Sequence, residues 1–340
     1  MPRIPSDKPK VGLVLGKFMP LHNGHLALIR FAAQRCDRLI VLLGVTAGEP
    51  ISGPRRLQWL REALADQPTI ELRYVDDEFP QSATASRVVS KAWADYLRVT
   101  APGLTHIFTS EPYGDYVAEY LGIEHVCFDQ PRATVPVSAS LIRENPVKYW
   151  DYIPAAVRPW LVPKVCLMGP ESTGKSTLAA RLAAYFDTTY IEEQARYMMS
   201  NTAECTPELL LAIGEAQARG VQQQARRANR ILFCDSDLET TRVYGRYLFG
   251  QELEFPAWVE EWQRYDFYLF PEIDVPYVQD GSRLGEHTRT TALRDQFFAA
   301  MQATGVPYAV ITGPDWDDRF RQAVAAVRAR YPDLPAHPTP

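Results

Sequence analysis

The chain has 340 residues, enough for two domains of roughly 100–200 residues, each with its own core. Its 46% hydrophobic and 23% charged residues are ordinary for a globular protein, and a net charge of -5 with no long Lys/Arg run argues against a nucleic-acid surface. No apolar run approaches the roughly 20 residues of a membrane span, and the opening MPRIPSDKPK lacks the apolar stretch of a signal peptide.

Residues 1–10 read as an N-terminal extension. From there strand and helix patterns alternate: strands over Val11–Leu15, Arg38–Val45, Ile70–Val75, His106–Ser110 and His125–Phe128, with helices over His25–Cys36, Pro54–Ala65, Arg87–Thr100, Tyr113–Leu121 and Ser138–Glu144. This rhythm predicts a parallel sheet covered on both faces, forming a first domain over residues 11–145. Residues 146–163 are rich in proline and large aromatics, which predicts a connector that packs against something and is not a free tether.

The second half repeats the architecture without repeating the sequence. Strands are expected at Lys164–Met168, Thr189–Glu192, Arg230–Asp235, Phe267–Phe270 and Tyr308–Thr312. Helices are expected at Lys175–Phe186, Ala195–Met199, Pro207–Arg227, Leu238–Phe249, Pro256–Arg264, Thr290–Ala303 and Trp316–Arg330. The second domain therefore covers 164–331, and residues 332–340 read as a disordered tail. The expected fold class is α/β, with two doubly wound parallel-sheet domains. Five cysteines without a CxxC pair fit a reducing, cytoplasmic setting.

Gly169 to Ser176 reads GPESTGKS and satisfies G-x-x-x-x-G-K-[ST] between a strand and a helix. In such a loop Gly169 and Gly174 allow the backbone to curl round a phosphate. Glu171, Ser172, Thr173 and Thr177 belong to the nucleotide-binding run, Lys175 reaches the β and γ oxygens, and Ser176 ligates Mg²⁺ held with ATP. Asp235 ends an apolar strand and is the expected ion partner, with Asp237 in reserve. Glu193 or Asp235 is the candidate general base, a choice the pattern leaves open. Arg283 and Arg289, with Asp280, lie on a polar Gly-containing loop that reads as a lid over ATP, while His287 between them reads as solvent-facing.

In the first half, Gly16 to His25 reads GKFMPLHNGH. His22 and His25 straddle Gly24 at a helix start, where His25 can donate to a phosphate resting on the helix N-terminus. Zinc is disfavoured because no third His or Cys stands nearby.

The HxGH string preceded by GKFxP resembles the nucleotidylyltransferase superfamily. That resemblance implies that His22 and His25 bind the triphosphate of ATP, with Gly16, Lys17, Phe18 and Gly24 in the same nucleotide site. Val137 to Arg143 reads VSASLIR and is similar to the superfamily's second motif, ISxxxIR, with Val137 as a departure. By that likeness Ser138 helps bind phosphate and Arg143 clamps the β- and γ-phosphates as pyrophosphate leaves.

The order of the two domains looks like the NadR family of bifunctional nicotinamide-mononucleotide adenylyltransferases and ribosylnicotinamide kinases. TSEPYGDYVAEYLG around Tyr113, GPESTGKST, EQAR at Glu193–Arg196, CDSDLETT from Cys234 and DGSR at Asp280–Arg283 carry the likeness over residues 10–330. It implies an HxGH nucleotidylyltransferase Rossmann-like domain followed by a P-loop kinase domain. The kinase would convert nicotinamide riboside and ATP to nicotinamide mononucleotide (NMN), and the adenylyltransferase would convert NMN and a second ATP to NAD and pyrophosphate. Some members begin with a helix-turn-helix domain; with about ten residues before the first strand, none is expected here. The alternatives are a coenzyme A assembly enzyme of the same domain order and a pyridine-nucleotide sensor with one inactive site. The resemblance leaves the oligomeric state open from monomer to hexamer, homo-oligomers included. Trp59, Trp93, Tyr113, Tyr190, Trp258 and Trp262 are the aromatics from which a partner for the nicotinamide ring would be drawn.

Overall fold

The computed structural model describes residues 9–76, 86–199, 204–276 and 290–335. The chain divides into two compact units, Met1–Val157 and Arg158–Pro340, and the division falls inside the connector expected at 146–163.

In the first unit the strands β1 (Val11–Gly16), β2 (Arg38–Val45), β3 (Ile70–Asp76), β4 (His106–Thr109) and β5 (Glu124–Cys127) form a parallel sheet in the order β3-β2-β1-β4-β5. The sheet is flanked by α1 (Asn23–Ala33), α2 (Gly53–Ala63), α3 (Arg87–Thr100) and α4 (Tyr113–Leu121), and α5 (Ala139–Glu144) follows it. β2 reads RLIVLLGV and is buried from Leu39 to Val45, as a strand covered on both faces requires. Leu13, Ile40, Leu42, Ile107 and Val117 pack together in its core. The connection from β1 runs to β2 on one side, while β4 lies on the other. The carboxyl end of β1 is therefore a topological switch point, where open α/β sheets hold their ligands.

In the second unit the order is β10-β9-β6-β8-β7, again parallel, built from β6 (Lys164–Leu167), β7 (Tyr190–Ile191), β8 (Leu232–Asp235), β9 (Phe267–Pro271) and β10 (Tyr308–Ile311). Its helices are α6 (Arg158–Leu161), α7 (Lys175–Tyr185), α8 (Ala195–Met198), α9 (Pro207–Ala225), α10 (Leu238–Phe249), α11 (Ala257–Trp262), α12 (Thr291–Ala303) and α13 (Trp316–Arg330). β6 lies between β8 and β9, which places a second switch point at the start of the glycine-rich loop.

Within the connector stand a 3-10 turn at Trp150–Tyr152 and the short helix α6; Trp150 is buried and Trp160 packs on Trp262 with ring centroids 4.1 Å apart. Of the tail expected at 332–340, residues 332–335 are described and Leu334 is buried. Its apolar side chain holds that stretch against the domain. Among the described residues no helix is long and apolar enough to cross a membrane.

Candidate active sites

The first site is a cleft of about 570 Å³ at the carboxyl end of β1, lined by Gly16, Lys17, Phe18, His22, Gly24, His25 and Arg143. Its size suits a nucleotide-sized ligand. His22 is the N-cap of α1: its Nδ1 accepts the backbone N–H of Gly24 at 3.1 Å and of His25 at 3.3 Å. His25 Nδ1 accepts the N–H of His22 at 3.3 Å in return. Because both Nδ1 atoms accept, each neutral ring carries its proton on Nε2 and keeps that donor for a ligand. Burial, reinforced by the Arg132 guanidinium, pushes His22 down to about 4. Burial, His22 and then Arg132 hold His25 well below the usual histidine range.

Lys17 pairs with Glu49 at 2.8 Å, and the fully buried Arg56 donates to the Lys17 carbonyl at 2.8 Å and to Glu49. Against the opposing effect of burial, hydrogen bonds from Lys17, Thr46 and Arg56 hold Glu49 down to about 2. Arg143 donates to the Met19 carbonyl and, at 3.1 Å, to Ser140. Ser138 is not on the cleft lining. Its Oγ accepts the Leu141 N–H at 3.3 Å as the N-cap of α5.

The sequence reading missed Arg132. The Asp129 carboxylate gathers the N–H groups of Ala133 at 2.8 Å and Thr134 at 2.9 Å. The turn so formed brings Arg132 into the cleft lining, where it lowers both histidines. The tight, Asp-centred turn in FDQPRATV was the available signal. Of the aromatics, Trp93 and Tyr113 line this cleft, Trp59 and Trp262 are core, Trp258 is exposed, and Tyr190 is half-buried in β7.

The second site surrounds the loop between β6 and α7. Gly169, Ser172 and Gly174 have positive φ angles of 150°, 60° and 83°. A Cβ on Gly174 would also lie 2.3 Å from the Trp316 ring, so this position excludes a side chain. Glu171 to Thr177 and Glu193 line a cleft of about 170 Å³, and Gly169 is not on its lining. Lys175 donates to the Pro170 carbonyl at 2.8 Å, and the Ser176 hydroxyl accepts from Arg196 at 2.8 Å. Arg319 clamps the loop from below: it donates to Thr173 O at 3.1 Å, Glu272 O at 2.9 Å and Gly313 O at 2.6 Å, and to Asp274.

The structure separates the two aspartates. Asp237 caps α10 through Thr240 N–H at 2.8 Å and receives the Tyr268 hydroxyl at 2.7 Å. Asp235 is fully buried, and among the described residues neither of its carboxylate oxygens meets a hydrogen-bond partner. Burial and then the Glu193 carboxylate raise Asp235 to about 6, against Lys175 and the nearby Ser176 hydroxyl. Such an unpartnered acid beside a serine hydroxyl fits a divalent cation. Glu193 lines the cleft with Arg196 at 3.9 Å, whereas Glu192 is occupied by Tyr190 and Tyr197. Gln217, also missed from sequence, donates to Asp235 O at 3.0 Å and accepts Gln194 N–H at 3.0 Å, so it ties β8 to the segment after β7. Arg283, Arg289, Asp280 and His287 lie outside the described residues.

A cytidylyltransferase-like family model matches residues 13–145, and an AAA domain model matches residues 164–319. The trifunctional NAD biosynthesis/regulator protein NadR of Escherichia coli K12 is 31% identical over 95% of this chain and 84% of its own length. The protein of the same name from Salmonella typhimurium LT2 is 30% identical over the same shares. A crystal structure of NadR in complex with NR shares the fold, with a TM-score of 0.76 and 20% identity over 98% of this chain and 99% of that one. With both domains matched in order and the likeness extending over 95% of its length, the chain belongs to the NadR family.

Proposed function

We propose that this protein makes NAD from nicotinamide riboside in two ATP-dependent steps, one in each unit. The observation that carries this reading is the presence in one family member of a histidine-lined cleft after β1 and a P-loop after β6 beside an unpartnered acid.

In the second unit, the backbone from Gly169 to Thr177 cradles the phosphates of ATP and Lys175 leaves Pro170 to meet the β and γ oxygens. Ser176 and Asp235 would hold Mg²⁺, which would supply positive charge against the ATP phosphates. Glu193, at the mouth of the cleft, takes the proton of the riboside hydroxyl as that oxygen attacks the γ-phosphorus. Arg283 and Arg289, outside the described residues, would add positive charge toward the ATP phosphates in this reading.

In the first unit, the NMN phosphate attacks the α-phosphorus of a second ATP directly and pyrophosphate leaves. The Nε2–H groups of His22 and His25 donate to the triphosphate, and Arg143 with Arg132 gathers its negative charge. The histidines are held neutral, so each can donate from Nε2 while its Nδ1 goes on accepting in the cap of α1. Catalysis is then alignment plus stabilisation of the leaving group. The five free cysteines fit a cytoplasmic setting.

Membership of the NadR family speaks against coenzyme A assembly. Incubation with Mg-ATP and nicotinamide riboside should yield first NMN and then NAD. Product from phosphopantetheine in place of NMN, or no NAD from supplied NMN, would overturn the reading.

A further inference from the structure

Thr109 ends β4, and its hydroxyl is a three-way junction. Oγ1 lies 2.7 Å from the Glu111 carbonyl, accepts the Glu111 N–H at 3.2 Å and lies 2.9 Å from His125 Nε2. His125 Nδ1 lies 2.7 Å from Asp115 Oδ1. A hydroxyl, an imidazole and a carboxylate in a row suggest nucleophilic catalysis, but this hydroxyl is bound to the backbone of Glu111 on both its donor and its acceptor side. The arrangement holds a loop in place.

The row runs from solvent to the cleft wall. The Asp115 side chain is 71% exposed and that of His125 is 8% exposed, while Thr109, Glu111 and Tyr113 line the cleft. The packing around the ring leaves no spare space: a Cβ on Gly114 would lie 2.3 Å from His125 Nε2 and 2.7 Å from Thr109 Oγ1. Tyr113 closes the other end of the segment, its hydroxyl donating to Leu15 O at 2.8 Å on β1. The wall segment is thus pinned at Tyr113 through the sheet and at Thr109 through His125.

We propose that His125, held between Asp115 and Thr109, is a positioning residue for adenylyl transfer that fixes the cleft wall from Thr109 to Tyr113 against the nucleotides. This inference rests on the adenylyltransferase reading of the cleft. Hydrogen bonds at a fixed wall align the reacting phosphates, and small displacements of such walls lower rates steeply.

The test compares His125→Ala, Thr109→Val and the double variant in the full-length chain. In each single variant kcat/KM for adenylylation of supplied NMN should fall about tenfold, which corresponds to about 1.4 kcal/mol, with KM rising as well as kcat falling. The double variant should lose no more than either single one, because the two residues act as one unit. Riboside phosphorylation by the same preparations should be unchanged, which reports an intact chain. If His125→Ala does not fold, Asp115→Asn carries the test from an exposed side chain, with an expected loss of about threefold confined to adenylyl transfer. Unaltered kcat and KM in these variants, or losses that multiply in the double variant, overturn the proposal. A wild-type chain that makes no NAD from NMN overturns the adenylyltransferase reading instead.

Discussion

The imidazoles of His22 and His25 stack with centroids 3.6 Å apart, and the Nδ1 of each accepts the backbone N–H of the other's residue. This reciprocal cap builds the start of α1 from the same two rings that face the cleft. Protonating either ring removes an acceptor from the cap and adds a charge to a desolvated site.

The first unit should therefore be sensitive to acid. His22 has its folded pKa lowered to about 4 from 6.5, so its contribution to stability is complete above 6.5 and is lost as pH falls toward 4. The loss over that window is roughly 3 kcal/mol for His22 alone. Calorimetry at pH 7 and pH 5 should show the transition that NMN and ATP shift upward moving to lower temperature. His22→Asn, which keeps an N-cap side chain without the titration, should flatten that dependence.

Lys175→Ala should reduce riboside phosphorylation by roughly 100-fold or more while leaving adenylylation of supplied NMN intact. Product analysis by chromatography with each substrate in turn makes the measurement. Loss of both activities in a folded protein would contradict the division of labour between the units.

Asp235 offers a different sign. Its folded pKa is raised to about 6, so the protonated acid stabilises the fold at low pH and that contribution is lost as pH rises through 6. At pH 7 without metal, the buried charge costs on the order of 2–3 kcal/mol. Asp235→Asn should raise the melting temperature of the metal-free protein and abolish phosphorylation. An unchanged melt would show that the carboxylate finds solvent or a partner.

Arg319 tests the floor of the P-loop. Its guanidinium meets three carbonyl oxygens and Asp274 from one buried position, a geometry that a lysine ammonium cannot reproduce. Arg319→Lys should raise KM for ATP in the kinase reaction about tenfold by loosening the turn at Thr173, without affecting adenylyl transfer. Steady-state kinetics of both reactions on one preparation settle it.

Much of this site chemistry was legible in order along the chain, because a loop that wraps a phosphate needs contiguous residues. GKFMPLHNGH and GPESTGKST are such loops, and each stands between a strand and a helix as expected. What could not be read is work shared between remote positions. Arg319 is 146 residues from Thr173, and His125 is 16 from Thr109. Gln217 meets Asp235 only because α9 packs on β8. Sequence ranked Asp235 ahead of Asp237 by its place at the strand end, but only the contacts of Tyr268 and Thr240 show why Asp237 is already occupied. A motif places Ser138 near phosphate but does not record that its Oγ also accepts the Leu141 N–H as a helix cap. Proline content likewise marked the connector but not its helix: Pro159, in the first turn of α6, lacks a backbone N–H where none is needed.

The strands that launch the two binding loops lie inside their sheets, β1 between β2 and β4, and β6 between β8 and β9. Their amides are protected on both sides and exchange with solvent only when a sheet parts, whereas β3, β5, β7 and β10 each have one open edge. Deuterium should therefore enter the margins of each unit long before it reaches Val11–Gly16 or Lys164–Leu167. Local opening at the margins can then come and go while both phosphate-holding loops stay anchored to strands that have a neighbour on each side.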